Sequence, residues 1–262
     1  DGFRDVYGRG LMDRKFLKIF FLKINFFLKI EKIDKIIIGY DTRQSYKEIL
    51  KIIKNNINQV KKIEILDRPV PTPCLSYLSK KNKKTFLIMI TASHFDRKFN
   101  GFKFFYNGKK LQKNHEKKII NIKNYDEKIK KKKIYISFSR KYSLYEKFIN
   151  LHFKKIKKNK KVLVDFANGS GATLIKKINF FNRVDKINYN FNFNNINYNC
   201  GSNYLNKTSK IVRYKKYDYI LAFDGDADRL VIFKKNYGLI ESEKIAYIFA
   251  SFLKDKKKHL II

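Results

Sequence analysis

Tryptophan is absent from these 262 residues, and proline (three), cysteine (two), methionine (two) and glycine (eleven) are scarce. The two cysteines, Cys74 and Cys200, stand in unrelated contexts without C-x-x-C spacing. That excludes a disulfide framework and a thiolate zinc site, and makes a reducing cytoplasm the expected compartment. No long charge-free apolar run occurs either. The densest, Phe16 to Ile30, is broken by Lys18, Lys23, Asn25 and Lys29, which argues against a membrane span, and no membrane partner is expected. Its spacing of Phe16, Ile19, Phe20, Ile24, Phe27 and Leu28 predicts a helix with a wide buried face. The first residues lack the basic head, apolar segment and small-residue cleavage site of a secretion signal. Walker A is missing, and Gly169-Ser170-Gly171 lacks the final glycine of a dinucleotide fingerprint.

Acidic side chains are the other shortage: 23 against 60 lysines and arginines, a formal charge of +37. Electrostatic recognition of nucleic acid needs a localised basic surface. Here lysine is scattered through every segment, together with abundant Asn, Ile, Phe and Tyr, all encoded by A/T-rich codons. Genome composition accounts for that bias, so no specific nucleic-acid partner is expected. A generally positive protein still attracts phosphorylated anions, and nonspecific RNA binding is expected only as a side effect of that charge.

What is present is a β-loop-α rhythm. Strands are expected at Ile33 to Gly39, Lys62 to Leu66 and Phe86 to Ile90, and helices at Tyr46 to Gln59 and Tyr142 to Phe153. Lys128 to Lys133 reads as a charged surface connection. A second unit opens with a strand at Lys160 to Phe166 and continues with strands at Asp218 to Phe223 and Leu230 to Phe233 and a helix at Glu243 to Leu253. The Asn-rich Phe191 to Tyr198 reads as a surface loop or irregular strand, and Leu260-Ile261-Ile262 as the middle of a strand. The fold class is therefore α/β, with tandem, mixed but mostly parallel sheets.

Two polar clusters follow buried-strand patterns, where open α/β sheets bind ligands: Thr91-Ala92-Ser93-His94, and Asp224-Gly225-Asp226-Ala227-Asp228-Arg229. Three aspartates at alternate positions oppose one another's ionisation unless a cation lies among them. The calcium-loop pattern fails at Arg229 and Lys235, which leaves Mg²⁺ held by Asp224, Asp226 and Asp228 and completed by a phosphate oxygen. Ser93 belongs to no G-x-S-x-G elbow, and the four histidines form no firm triad with it. Beside the aspartates it is a candidate phosphate carrier and metal ligand, with Lys103 of Asn100-Gly101-Phe102-Lys103 as an amine whose lowered pKa would move a hydroxyl proton.

Assembled, these residues resemble the α-D-phosphohexomutase family over nearly the whole chain. Asp1-Gly2-Phe3-Arg4 is similar to the end of its G-T-[DS]-G-[IF]-R motif, Gly39-Tyr40-Asp41-Thr42-Arg43 to G-x-D-T-R, and Val70-Pro71-Thr72-Pro73 to V-P-T-P. Thr91 to His94 followed by Asn100 to Lys103 resembles the phosphoserine loop T-A-S-H-N-P with N-G-x-K. Asp165-Phe166-Ala167-Asn168-Gly169 resembles D-x-A-N-G, Asn199-Cys200-Gly201-Ser202 a C-G-S segment typical of the branch acting on glucosamine phosphates, and 224–229 the metal loop D-G-D-[GA]-D-R.

The resemblance implies a phosphate passing between a phosphoserine at Ser93 and a phosphorylated hexosamine, through a hexosamine 1,6-bisphosphate. It implies Ser93, Lys103, His94 and Arg229 as catalytic residues, Arg4, Arg43 and Asn100 as phosphate or substrate contacts, and one Mg²⁺ on Ser93, Asp224, Asp226 and Asp228. Glucosamine 6-phosphate and 1-phosphate are the expected pair. The mannose and glucose phosphates are the alternative within the family, and a basic nucleic-acid-binding or structural remnant the alternative outside it. The expected domains are 1–153 with the phosphoserine loop, 154–254 with the metal loop, and 255–262 as the start of a third. Phe95-Asp96 replaces the family's Asn-Pro, which is expected to loosen the serine loop and add a carboxylate near the phosphate, and Asp5 replaces a usual glycine. The family's G-E-x-S-G and R-x-S-G-T loops do not occur in the 262 residues, so the chain is expected to be part of a longer protein. The oligomeric state stays open.

Overall fold

The computed structural model describes residues 2–123, 125, 133–152, 156–174, 181–205 and 216–254. The expectations for 128–132 and 260–262, and for a third domain at 255–262, lie outside the described residues.

The first sheet is assembled from β1 (Arg4–Val6), β2 (Lys35–Tyr40), β3 (Lys62–Leu66), β4 (Thr85–Ile90), β5 (Phe99–Tyr106), β6 (Lys109–Lys110) and β7 (Tyr135–Ser139), in the order β1-β5-β4-β2-β3-β7 with β6 on β5. β4, β2, β3 and β7 run parallel, and β5 turns back antiparallel along β4. Strand alternation divides the core into two layers. Ile36, Ile38, Ile88 and Ile90 face α1 (Arg14–Ile30) and α2 (Tyr46–Asn56), while Ile37, Leu87 and Met89 face Leu75 and Leu78 of α3 (Thr72–Lys81). A short α4 (Lys113–Ile120) adds Ile119 to the first layer, and α5 (Tyr142–His152) packs the rings of Tyr145 and Phe148 against Tyr77 of α3.

Helix α1 begins where Asp13 caps the backbone N–H groups of Lys15 and Phe16. Its buried face is Leu17, Phe21, Ile24, Phe27 and Leu28, which turns Phe16 and Ile19, expected inside, to 37% and 41% exposure. The second half of the helix keeps the expected Ile24, Phe27 and Leu28, while in its first turns Leu17 and Phe21 take the inward positions, Phe21 meeting Phe102 of β5 edge-on at 5.2 Å.

The second sheet has the order β12-β11-β10-β8-β9, from β8 (Ile156–Asp165), β9 (Phe181–Ile187), β10 (Tyr219–Phe223), β11 (Leu230–Lys234) and β12 (Gly238–Ile240). β10, β8 and β9 are parallel; β11 and β12 form an antiparallel meander at one edge. Two one-turn helices, α6 (Gly171–Leu174) and α7 (Ser202–Leu205), and a longer α8 (Ser242–Lys254) complete the unit. No helix among the described residues is long and apolar enough to cross a membrane.

Candidate active site

The carboxyl ends of β2, β4 and β10 converge. β4 delivers Thr91-Ala92-Ser93-His94, β10 delivers Asp224 to Arg229, and Ser93 Oγ donates to Asp224 Oδ2 at 2.6 Å although 131 positions separate them. Ser93 stands at φ 54°, in the left-handed region that non-glycine residues rarely occupy, and Ala227 at φ 51° does the same in the acidic loop. Strain at both reacting loops is held by what surrounds them. Thr91 Oγ1 accepts from Ser93 N–H at 2.9 Å and donates to Asp41 Oδ2 at 2.7 Å.

One carboxylate oxygen from each of Asp224, Asp226 and Asp228 lies within 4.8 Å of the others. Asp226 Oδ1 is buried without a hydrogen-bond partner, and all donors, Ser93 Oγ included, are hard oxygens. Such a set fits Mg²⁺. Lys103, on the face of β5 turned away from α1, places its ammonium 2.6 Å from both Asp226 Oδ2 and Asp228 Oδ2. Burial opposes that charge, but the two aspartates outweigh it and hold the lysine above its ordinary pKa, so the expected lowering is not found. Burial likewise opposes Asp226's charge and is overcome by Lys103, leaving that carboxyl low. Asp224, farther from the ammonium, is pushed up to about 7 by burial and then by Asp226.

A cavity of about 230 Å³ opens beside Ser93, lined by Arg4, Lys103, Asp228 and Arg229 among others. Arg4 stacks its guanidinium 4.5 Å over the Phe95 ring. His94 is not among the lining residues. Burial first, then Arg229 and Arg4, holds its imidazole below the usual range, and so neutral at pH 7.

Two expected ligand contacts are otherwise engaged. Arg43 is 0% exposed, and all five of its N–H donors are used: Nε on Asp41 Oδ2 at 3.0 Å, Nη1 on the carbonyls of Asp96 and Phe99, Nη2 on those of Ser93 and Phe95. It has no donor left for phosphate and shapes the serine loop instead. Asn100 is buried, donates to Ser45 Oγ at 2.7 Å and caps Gly101 N–H, so it too acts within the scaffold. At Phe95-Asp96 both carbonyls accept from Arg43, and Asp96 Oδ1 accepts from Lys98 N–H at 3.0 Å, so the added carboxylate is not among the groups lining the cavity. Asp5 folds onto Val6 N–H and Leu11 N–H.

Two further residues stand at the site. Thr72, first residue of α3, donates its hydroxyl to Asp226 Oδ2 and its N–H to Asp226 O. Its signal lies in Val70-Pro71-Thr72-Pro73. Asn197, within the Asn-rich stretch read as a loop, donates to the carbonyls of Ser93 at 2.8 Å and Phe95 at 2.9 Å, and composition offers no signal for it. Asp165 anchors the neighbouring turns by accepting from Ala167 N–H and Gly201 N–H, and Thr42 Oγ1 crosses to Asn168 O at 2.7 Å. The G-x-D-T-R, V-P-T-P, D-x-A-N-G and C-G-S segments thus converge on one interface.

Residues 1–130 match the phosphoglucomutase/phosphomannomutase alpha/beta/alpha domain I, and residues 118–238 match domain II of the same family. The chain belongs to the phosphoglucomutase/phosphomannomutase family. Among curated phosphohexomutases, the phosphoglucosamine mutase of Sulfurovum sp. (strain NBC37-1) is 28% identical over 269 residues, covering 97% of this chain and 60% of that protein. The phosphoglucosamine mutase of Buchnera aphidicola subsp. Baizongia pistaciae is 30% identical over 266 residues, covering 98% and 59%. A solved phosphoglucomutase/phosphomannomutase family protein of Burkholderia thailandensis shares the fold with a TM-score of 0.77 at 19% identity, covering 97% of this chain and 58% of that one. The chain therefore spans about three fifths of the length of the curated relatives it matches.

Proposed function

We propose that this phosphohexomutase chain carries the phosphoryl-transfer centre of a phosphoglucosamine mutase, interconverting glucosamine 6-phosphate and glucosamine 1-phosphate through a phosphoserine at Ser93 and a bisphosphorylated sugar. The observation that carries the reading is Ser93 Oγ lying 2.6 Å from Asp224 inside a cluster of three carboxylates. The C-G-S segment at Cys200-Gly201-Ser202 and the names of the curated relatives support the glucosamine branch.

In each half-reaction the P–O bond to one oxygen breaks as the bond to the other forms, Ser93 Oγ being one partner and a sugar hydroxyl the other. The net proton movement is between the sugar hydroxyl and Ser93 Oγ; Lys103, which lines the same cavity and is held protonated, would donate to the leaving oxygen and be reprotonated by the attacking hydroxyl. Arg4 and Arg229 line the cavity where phosphate oxygens would gather charge. Bound at Asp224, Asp226 and Asp228, Mg²⁺ would neutralise charge on the transferring group.

The test is incubation with Mg²⁺ and glucosamine 1,6-bisphosphate, followed by peptide mass spectrometry. One phosphate on Ser93, absent from Ser93→Ala, is expected. Labelling elsewhere, or none, overturns the phosphoserine reading; faster labelling from the mannose or glucose bisphosphate overturns the sugar assignment.

A further inference from the structure

The proposed nucleophile sits in a loop with little regular structure of its own, and Ser93 holds a φ of 54° there. Arg43 draws the carbonyls of Ser93, Phe95, Asp96 and Phe99 inward, but Arg43 belongs to the same sheet unit as the loop. It shapes the loop without fixing where the loop stands relative to the aspartates.

A second clamp crosses the interface. The carbonyls of Ser93 and Phe95 each accept another hydrogen bond, and both come from the amide nitrogen of Asn197, at 2.8 and 2.9 Å. Each of these two carbonyls thereby has both lone pairs occupied, and both amide protons are used. Two facing carbonyls also dictate the amide's orientation, since its oxygen there would repel both. Asn197 is held in turn by its own backbone, at φ 56° with its N–H on Ala167 O at 2.8 Å. Its side chain lies against the acidic loop: a Cβ built on Gly225 would come within 2.6 Å of Ile196 Cδ1 and 2.9 Å of Asn197 Nδ2, so the glycine between Asp224 and Asp226 lets both side chains pack close. One amide therefore touches both loops whose meeting defines the site. Thr42 to Asn168 and Thr72 to Asp226 hold the flanks of the interface, Ser93 Oγ crosses to Asp224 by its side chain, and Asn203 Nδ2 reaches only the next carbonyl, that of His94, at 3.2 Å, whereas Asn197 takes the carbonyl of Ser93 itself.

We infer that Asn197 is a positioning residue for phosphoryl transfer, locking the serine loop to the unit that carries the aspartates so that Ser93 Oγ keeps its place beside Asp224. The inference rests on the function proposed above. It assigns the Asn-rich segment a part in the reaction without contact to substrate. Because misplacement of a reacting atom lowers rate more than affinity, the loss falls on the maximal rate.

The test compares wild type with Asn197→Ala, Asn197→Asp and Asn192→Ala, the last altering an exposed asparagine of the same segment. Ser93 labelling by glucosamine 1,6-bisphosphate is followed over a range of concentrations, and amide hydrogen exchange is followed across residues 93–99. Both Asn197 variants are expected to lower the maximal labelling rate about 10- to 100-fold with the half-saturating concentration within about 3-fold, and to speed exchange in 93–99. Asn192→Ala is expected to match wild type in both. Wild-type rate and exchange in the Asn197 variants would overturn the inference, as would a loss confined to half-saturation. If Asn197→Ala does not fold, the near-isosteric Asn197→Asp decides the question. If wild type itself is never labelled, the functional reading has failed, and the exchange of residues 93–99 still decides separately whether Asn197 holds the loop.

Discussion

In the first sheet, all six residues of β4 are buried between α1 and α2 on one side and α3 on the other; in the second, no residue of β11 is buried, and α8 leaves Tyr247, Ile248 and Phe249 open to solvent. Yet Asp224 and Asp226, delivered by that second sheet, are completely buried. Their cover comes from the first unit: Ser93 on Asp224, Thr72 and Lys103 on Asp226. Precision at the acidic loop is thus borrowed from a neighbour with a complete core, and the interface between the units matters as much as either sheet.

Removing the clamp of the first unit tests this contrast most severely. Arg43→Ala loses five hydrogen bonds and leaves Asp41 buried without its cation, which is expected to cost about 3–5 kcal/mol in urea unfolding. Arg43→Lys recovers little of it, because one ammonium cannot reproduce the guanidinium fork. Arg4→Ala, by comparison, removes an exposed cavity side chain and is expected to change stability by less than about 1 kcal/mol while slowing Ser93 labelling. A stable Arg43→Ala protein that has only lost phosphate affinity would restore Arg43 as a ligand contact.

The next contrast is between the cores themselves. Ile88→Ala in β4 opens a cavity among residues that cannot close around it and is expected to cost about 2–5 kcal/mol. Val231→Ala in β11, half-buried at the meander, is expected to cost less than about 1 kcal/mol. Equal losses, measured by the same denaturant titration, would show that the second sheet is as tightly built as the first.

Legibility in the sequence follows the same division. β3 is found at the expected bounds because Ile63, Ile65 and Leu66 stand in a short segment ended by Asp67-Arg68-Pro69, and α2 and α5 are found because their apolar period is clear. β5 has no comparable signal: it runs straight from the serine loop through Asn100-Gly101, yet it carries Lys103 into the site. The motifs reveal which residues gather but not which of them face the cavity. Arg43 and Arg4 are both arginines within motif-like segments, and only the positions of the Ser93-loop carbonyls and of the Phe95 ring separate scaffold from cavity wall. Asn197 is illegible for another reason: its role depends on contacts across 104 positions, in a stretch whose composition says surface.

The interface itself can be strained by one methyl group. Gly169 packs so closely on the acidic loop that an added Cβ would lie 2.3 Å from Gly225 O and 2.7 Å from Gly225 Cα, both backbone atoms unable to step aside alone. Gly169→Ala is expected to cost about 1–3 kcal/mol and to weaken Mg²⁺ binding by calorimetry, since the loop bearing Asp224 and Asp226 must shift. Unchanged metal affinity would separate that packing from the geometry of the carboxylates.

The smallest effect belongs to the far side of the first sheet, where Glu64 of β3 is surrounded by Lys35 at 3.0 Å, Lys62 at 2.8 Å and Lys141 at 2.6 Å. Burial alone would raise this carboxyl, but Lys141, Lys62 and Lys35 together bring it from 4.5 down to about 2. The depressed value means that the folded state favours the ionised form. The resulting stabilisation is fully present above about pH 4.5, drains as pH falls toward 2, and is gone below that. At about 1.4 kcal/mol per pKa unit the shift corresponds to a few kcal/mol, and the half-exposed lysines reduce this through solvent screening to about 1–2 kcal/mol at neutral pH. Glu64→Gln is therefore expected to be about that much less stable than wild type at pH 7, with the two denaturation curves converging near pH 2. A difference that stays constant across the range would mean that the glutamine variant fails through packing, and that the three lysines contribute no pH-dependent stability to the better-built half of the molecule.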